Sequence, residues 1–428
     1  MFQRLLPLAL GSLLLGSLHA QPTSRKAGRQ ILLTNNSAIA LHQKPVSLKR
    51  AQLGALPAGK LYPLVLTVKG DTLASQLDDR NGDGRWDELF FVASLPAKSS
   101  LACSLKWTAR PPQYVAQTSV RFGMRRSDTQ RLKPATRETV FPRDMPKTMG
   151  FQRYQTDGPS WENDKVGFRH YLDGRNSKDV FGKRISAISP ENVGINAAGA
   201  VEDNYHVMEP WGRDILAVGN SIGIGGVALG KGDSLYRLGV IMNDTLNNVE
   251  RTDFRIVTEG PVRSMLQFDY HNWKPAGRPY QVKETVSIWP GMYAYQNTVS
   301  VSGTTGAEEL LIGLVNINAV HQPQVVPLNK DWVALVSHEK HSYNKEWWLG
   351  LALILPADLY KGYKDAPKQG QLSHTFLARL KITGRPVTYY AIAGWELSDE
   401  GFKDPAYFKK YVEDLGRQIA APLKVSVR

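Results

Sequence analysis

The sequence predicts an all-β protein: a small N-terminal β domain, a large antiparallel β-sandwich, and one amphipathic helix close to the C-terminus. Three observations carry this reading. Short runs rich in Val, Leu and aromatic residues recur between turn residues, at 61–68, 89–95, 101–107, 262–270, 310–315, 347–355, 376–382 and 387–395. Alternation is clearest around Pro290-Gly291: Val282, Val286 and Ile288 share a face before that turn, and Val299 and Val301 follow Tyr293 and Tyr295 after it. Helical spacing stands out in one place, where Phe408, Tyr411, Val412, Leu415 and Ile419 follow Pro405. A series of antiparallel strands with so little helix closes by packing sheet on sheet.

Taken in order, residues 1–20 (MFQRLLPLALGSLLLGSLHA) place one early cation, Arg4, before an uncharged leucine-rich stretch and end on Ala20, the pattern of a cleavable export signal. The stretch is too short to span a bilayer, and no later run of apolar residues is long enough. No cysteine follows it to carry a lipid, so no membrane anchor is expected after cleavage. The mature protein is therefore expected in the periplasm or the extracellular medium. Residues 21–30 read as a polar, basic, flexible leader, 31–125 as the N-terminal β domain, 126–165 as a proline-scattered connection, and 166–428 as the large sandwich with its helix. The only cysteine, Cys103, has no partner for a disulfide, so the core alone must hold the fold.

The formal net charge of +14 favours anionic partners. For an exported protein an acidic oligo- or polysaccharide suits that charge better than nucleic acid does. Nucleotide binding is likewise set aside: GGVALGKG at 225–232 approaches a phosphate loop, but Gly232 stands where Ser or Thr would hold magnesium. His338 and His341 are three residues apart, not the four of a metalloprotease helix, and no nucleophile elbow occurs.

Two regions concentrate chemistry. In the loop at 78–88, Asp79, Asn81 and Asp83 alternate as hard oxygen donors and Gly84 permits a tight turn. Asp87 and Glu88 add carboxylates, so the loop is expected to hold a structural calcium ion. An EF-hand would need a bidentate Glu where Phe90 stands, and a plain hairpin turn is the competing reading. The second region runs from Trp161 to Asn220. Tyr171, Trp161 and Trp211 offer rings for sugar stacking, and Arg169, Arg175 and Asn176 offer a grip on carboxylate and hydroxyl groups. His206, Tyr205, Asp173, Asp179 and Asp214 supply proton-transfer groups.

The loop DDRNGDGRWDELFF, the block GFRHYLDGRNSKDVFGKR, the block YHVMEPWGRDILAVGNSIGIGG and the closing stretch AGWELSDEGF together resemble domain-of-unknown-function family 4861, over nearly the whole mature chain. The resemblance implies a carbohydrate-active protein of a secreted glycan-degradation system, one for pectin and other uronate polymers, with a sandwich like that of the galactose mutarotase superfamily. It points to the blocks around Arg169 and His206. One departure is Glu209, which stands before Pro210-Trp211 where the pattern leads one to expect Asp.

The leading expectation is an enzyme cleaving acidic oligosaccharides. As a lyase it would use Arg169 or Arg175 to neutralise a uronate and His206 or Tyr205 to remove the C5 proton. As a hydrolase it would use Asp173, Asp179 and Asp214 as acid and base or nucleophile. A non-catalytic glycan-binding protein and a mutarotase-like sugar epimerase are the alternatives.

Overall fold

The computed structural model describes residues 29–54, 59, 61–144, 152–241 and 247–428. The expected export signal and the leader up to residue 28 lie outside the described residues. Arg29 and Gln30, assigned to the leader, already belong to the first strand, Arg29–Asn35.

Among the described residues the chain is all-β, in two bodies, with one α-helix. The N-terminal core lies between a five-stranded sheet and a three-stranded one that contains Leu41–Lys49, Glu88–Leu95 and Ser75–Asp78. Ile31, Leu33, Val46, Leu89, Phe91 and Leu105 fill it, because alternate residues of each strand point inward. Cys103 is buried among them as a small apolar side chain. The five-stranded sheet is completed by Leu423–Val427, which pairs antiparallel with Arg29–Asn35. This C-terminal strand is not among those expected from sequence, although Leu423, Val425 and Val427 alternate with Lys424 and Ser426.

The larger body is built on a nine-stranded antiparallel sheet running from Arg137–Val140 at one edge to Gln324–Pro327 at the other. The expected Pro290-Gly291 hairpin joins Tyr280–Ile288 to Ala294–Ser302 at its centre. Two five-stranded sheets cover one face. One has the order Gly212–Asp214, Lys178–Lys183, Val166–His170, Ser160–Asn163, Thr118–Arg121; the other is built around Val227–Lys231 and Glu308–Val315. The connection expected at 126–165 is thus partly sheet: Ser160–Asn163 pairs with Thr118–Arg121, and Arg137–Val140 is an edge strand. Four-residue strands with two inward positions give too short an alternation to read.

The opposite face of the nine-stranded sheet takes the helix Pro405–Ala420. Asp404 caps it by accepting a hydrogen bond from the Ala406 amide, and Pro405 opens the first turn. Phe408 and Val412 are its buried anchors. Gly350 and Gly394 face each other in register, and an added Cβ at either would meet the Phe408 ring at 2.5 or 2.9 Å. The pair leaves a flat notch that only glycine provides. Arg263 locks the two bodies together: buried in the turn before strand Ser264–Trp273, it pairs with Asp78 and Glu88 of the small domain, while Gln76 donates to the Arg263 carbonyl.

Candidate functional site

Strands Val166–His170 and Lys178–Lys183 place Arg169 directly opposite Asp179, and Phe181 opposite Asp214 on the neighbouring strand. Alternation turns Arg169, Asp179 and Phe181 away from the nine-stranded sheet, into a layer closed by the 190–211 segment. There Arg169 Nη2 lies 2.5 Å from Asp179 Oδ2 and 2.5 Å from Asp214 Oδ2. Its guanidinium also sits against the rings of Tyr171, Phe181 and Tyr205, at 4.6, 5.1 and 5.0 Å. Tyr171 donates its hydroxyl to Asp179 at 2.6 Å, and Tyr205 donates to Asp203 at 2.7 Å.

Burial works against the Arg169 charge, but Tyr171, Asp214 and Asp179 outweigh it and hold the guanidinium firmly protonated. Burial, followed by the nearby Asp214 charge, lifts the Asp179 carboxyl to about 6. Two buried polar atoms, Arg169 Nη1 and Asp214 Oδ1, have no hydrogen-bond partner.

This buried cluster opens at His206, whose side chain is 47% exposed and whose Nε2 stands 3.5 Å from Asp214 Oδ2. The facing Asp214 carboxylate raises the imidazole above its ordinary value, against the effect of burial. Asp157, 24% exposed, stands 3.7 Å from Arg169 and 4.0 Å from Arg175. Arg175 stacks on Tyr171 at 3.7 Å and pairs with Asp173 at 2.6 Å.

Sequence reasoning missed two members of this network. Asp157 sits in a turn where Thr156 (φ 51°) and Asp157 (φ 59°) are both left-handed, a strained conformation for residues other than glycine. Burial, partly offset by Arg169, raises its carboxyl. Tyr343 lies 6.3 Å, ring to ring, from His206. Its amide donates to the Ile215 carbonyl, which carries a residue more than a hundred positions downstream to the site. Its hydroxyl is pushed up by burial and by Asp214 and Asp179. The one local signal available was the Gly158 that ends the strained turn.

Several expected residues serve elsewhere. Trp161 is 1% exposed; it faces the nine-stranded sheet and meets Tyr295 edge-on, so it presents no ring to a sugar. Trp211 is buried against Phe181. Asn176 is spent on the Leu238 carbonyl and on the ring nitrogen of His170. Asp179 and Asp214 are too deeply buried to touch a substrate directly, and Tyr205 likewise supports the cluster from inside.

The expected calcium loop is a hairpin connection held by its own carboxylates. Asp79 accepts from the Gly82 and Gly84 amides, and Asp87 accepts from Arg80 and Asn81. Asp83 Oδ2 and Asp87 Oδ1 converge on the Asn81 side-chain amide, at 3.4 and 3.3 Å. Glu88 leaves this set. Burial would raise its carboxyl, but Arg263 and the Ser47 hydroxyl hold it low and point it into the interdomain lock. Among the described residues no three acidic, His or Cys side chains form a group with the geometry to hold a metal ion.

A family model described as "Domain of unknown function (DUF4861)" matches residues 33–425. The chain belongs to the DUF4861 family. A curated relative, "Uncharacterized protein P7" of Formosa agariphila, is 26% identical over 294 residues, covering 64% of this chain and 68% of that protein. Among solved structures, an alpha-mannosidase from Enterococcus faecalis V583 aligns with a TM-score of 0.49 at 10% identity. A protein in the glycosyl hydrolase family 38 from Enterococcus faecalis aligns with 0.47, also at 10% identity. Both alignments cover 94% of this DUF4861 chain, which spans less than half of either structure (46% and 47%).

Proposed function

We propose that this DUF4861 protein is an exported carbohydrate-active enzyme that cleaves glycosidic bonds by acid–base chemistry, with His206 as its proton-transfer group. The observation that carries the proposal is the half-exposed imidazole beside a buried carboxylate, itself fixed by Arg169. Asp214 orients the ring and supports a positive charge on it, and Arg169 holds Asp214 in place. Asp157, whose carboxyl is raised by burial and which stands on the other side of the same Arg169 guanidinium, is the second proton-transfer group.

Hydrolysis suits this opening better than elimination at a uronate. A lyase needs a free guanidinium to neutralise the substrate carboxylate, yet Arg169 is held by Asp179 and Asp214, and Arg175 by Asp173. Four carboxylates against two guanidiniums leave the opening acidic.

The test is to incubate the mature protein with a panel of neutral and uronate-containing oligosaccharides, following new reducing ends and the ultraviolet absorbance of unsaturated uronates. New reducing ends without that absorbance are expected, with the rate falling by about 100-fold or more in His206→Ala. Absorbance would replace hydrolysis by elimination. Silence in both readouts, with measurable binding, would make the protein a glycan-binding one.

Export rests on the pattern of residues 1–20, and a structural calcium ion belongs to the same proposal. Asp79, Asn81, Asp83 and Asp87 would hold it once their carboxylates exchange the loop and Asn81 amides they now accept from for the ion. Chelation is expected to lower the melting temperature and added calcium to restore it; an unchanged melting temperature would remove the ion.

A further inference from the structure

The net charge of +14 has no outlet at the His206 opening, where carboxylates are in excess. A different cleft, of about 720 Å³, lies where the loop of the small domain overhangs one end of the nine-stranded sheet, and three arginines there face three carboxylates. The floor is the outward face of strands Arg137–Val140, Val249–Glu259 and Ser264–Trp273, whose register aligns Arg137 with Arg255, and Thr139 with Asp253 and Asp269. Asn81 and Gly82 form the overhang. Arg255 ties it down by donating to the Arg80 carbonyl at 3.1 Å and to Gln267 at 3.0 Å.

Two arginines directly opposite one another on a sheet face repel. A third guanidinium, Arg126, stands at the same cleft, 61% exposed and 3.5 Å from Glu138. The carboxylates of the cleft are engaged. Glu138 pairs with buried Arg153 at 3.0 Å, Asp253 accepts from Thr139 at 2.8 Å and contacts His271 at 2.9 Å, and Asp269 accepts from Gln267 at 2.5 Å. The Arg137 side chain has no hydrogen bond or ion pair among the described residues. The cleft therefore offers guanidinium forks for an acid group. Asn81, Thr139 and the free lone pairs of Asp253 and Asp269 suit hydroxyl groups around it.

We infer that this interdomain cleft is a binding site for an acidic saccharide, its carboxylate or sulfate gripped by Arg137 and Arg126, separate from the His206 opening. A volume of this size accommodates one or two sugar rings, and domain interfaces are common places for ligand sites. Attraction of acidic polymers then belongs to this cleft, and bond cleavage to the other.

The test is titration calorimetry at low salt on the full mature chain carrying His206→Ala, so that nothing is turned over. The probes are a trigalacturonate, a sulfated galactose trisaccharide and the neutral galactose trisaccharide, each also added to the same protein carrying Arg126→Ala and Arg137→Ala. Both arginines lie at the surface, and an unchanged melting temperature will certify the variant fold. The acidic probes are expected to bind, and to lose about tenfold or more in affinity in the double variant; whichever acid binds more tightly names the group. Failure of both acidic probes to bind, equal binding of the neutral sugar, or an affinity unmoved by the two substitutions would overturn the inference. None of these outcomes depends on whether the wild-type protein cleaves, so this site and the proposed activity fail separately.

Discussion

Strands Val166–His170 and Lys178–Lys183 carry two buried charge networks, one on each face, and the networks are built differently. On the inner face Lys178 pairs with Glu284 at 2.7 Å. Asn297 and Tyr270 donate to the same carboxylate, and Tyr389 accepts from Asn297 while donating to the Gly225 carbonyl. One cation meets one anion, and every contacting group is buried. His170, beside them, is held neutral by burial and by Lys178. On the outer face one guanidinium serves three carboxylates and the network runs out to a half-exposed imidazole, whereas both faces leave two buried polar atoms without a hydrogen-bond partner, Asn297 Oδ1 and His170 Nδ1 inside and Arg169 Nη1 and Asp214 Oδ1 outside. A closed and balanced network fixes how two sheets stack. An open and unbalanced one leaves charge to be answered from outside, which is what proton transfer requires.

The largest expected effect tests the closed network. Lys178→Met strands Glu284 in the core and is expected to cost about 3–5 kcal/mol in denaturant unfolding, with part recovered when Glu284→Gln is added. A change within error would mean that the inner pair holds nothing together.

Next in size is the outer network's response to pH. The Asp179 carboxyl is near 6 when folded, above its value in an unfolded chain. The folded state therefore binds that proton more tightly, and this group's contribution to stability is lost as pH rises from about 4 to about 6. Relative to wild type, Asp179→Asn should gain stability between those limits, read from urea midpoints; parallel curves would show that the carboxyl is not perturbed.

The smallest effect is expected at Glu209, whose main chain exchanges hydrogen bonds with Gly212 in a tight turn. Glu209→Gln should change stability by less than about 0.5 kcal/mol and leave cleavage unaltered. A loss of activity would extend the open network to this position.

Much of the sheet was legible, because inward-facing Val, Leu and aromatic residues alternate wherever a strand is long enough, as around Pro290-Gly291. The helix was legible from Phe408 and Val412. Within the site, the block around Arg169 and His206 was legible as a concentration of polar residues, but not the side to which each turns. Trp161 and Arg169 read alike as ligand-facing, yet register sends one into the sandwich and the other outward. Tyr343 and Asp157 were hidden for another reason: a backbone bond to Ile215 and a strained turn place them, and neither leaves a periodic trace.

The pairing of Leu423–Val427 with Arg29–Asn35 has a consequence for the order in which the protein matures. A chain made from its N-terminus delivers the small domain first, with one sheet edge open until a strand roughly 390 residues downstream arrives. That edge is meanwhile a template for pairing with other chains. The last strand acts as a clasp: a chain cut short before residue 423 retains both bodies and the His206 opening, but has an uncovered edge through which copies associate.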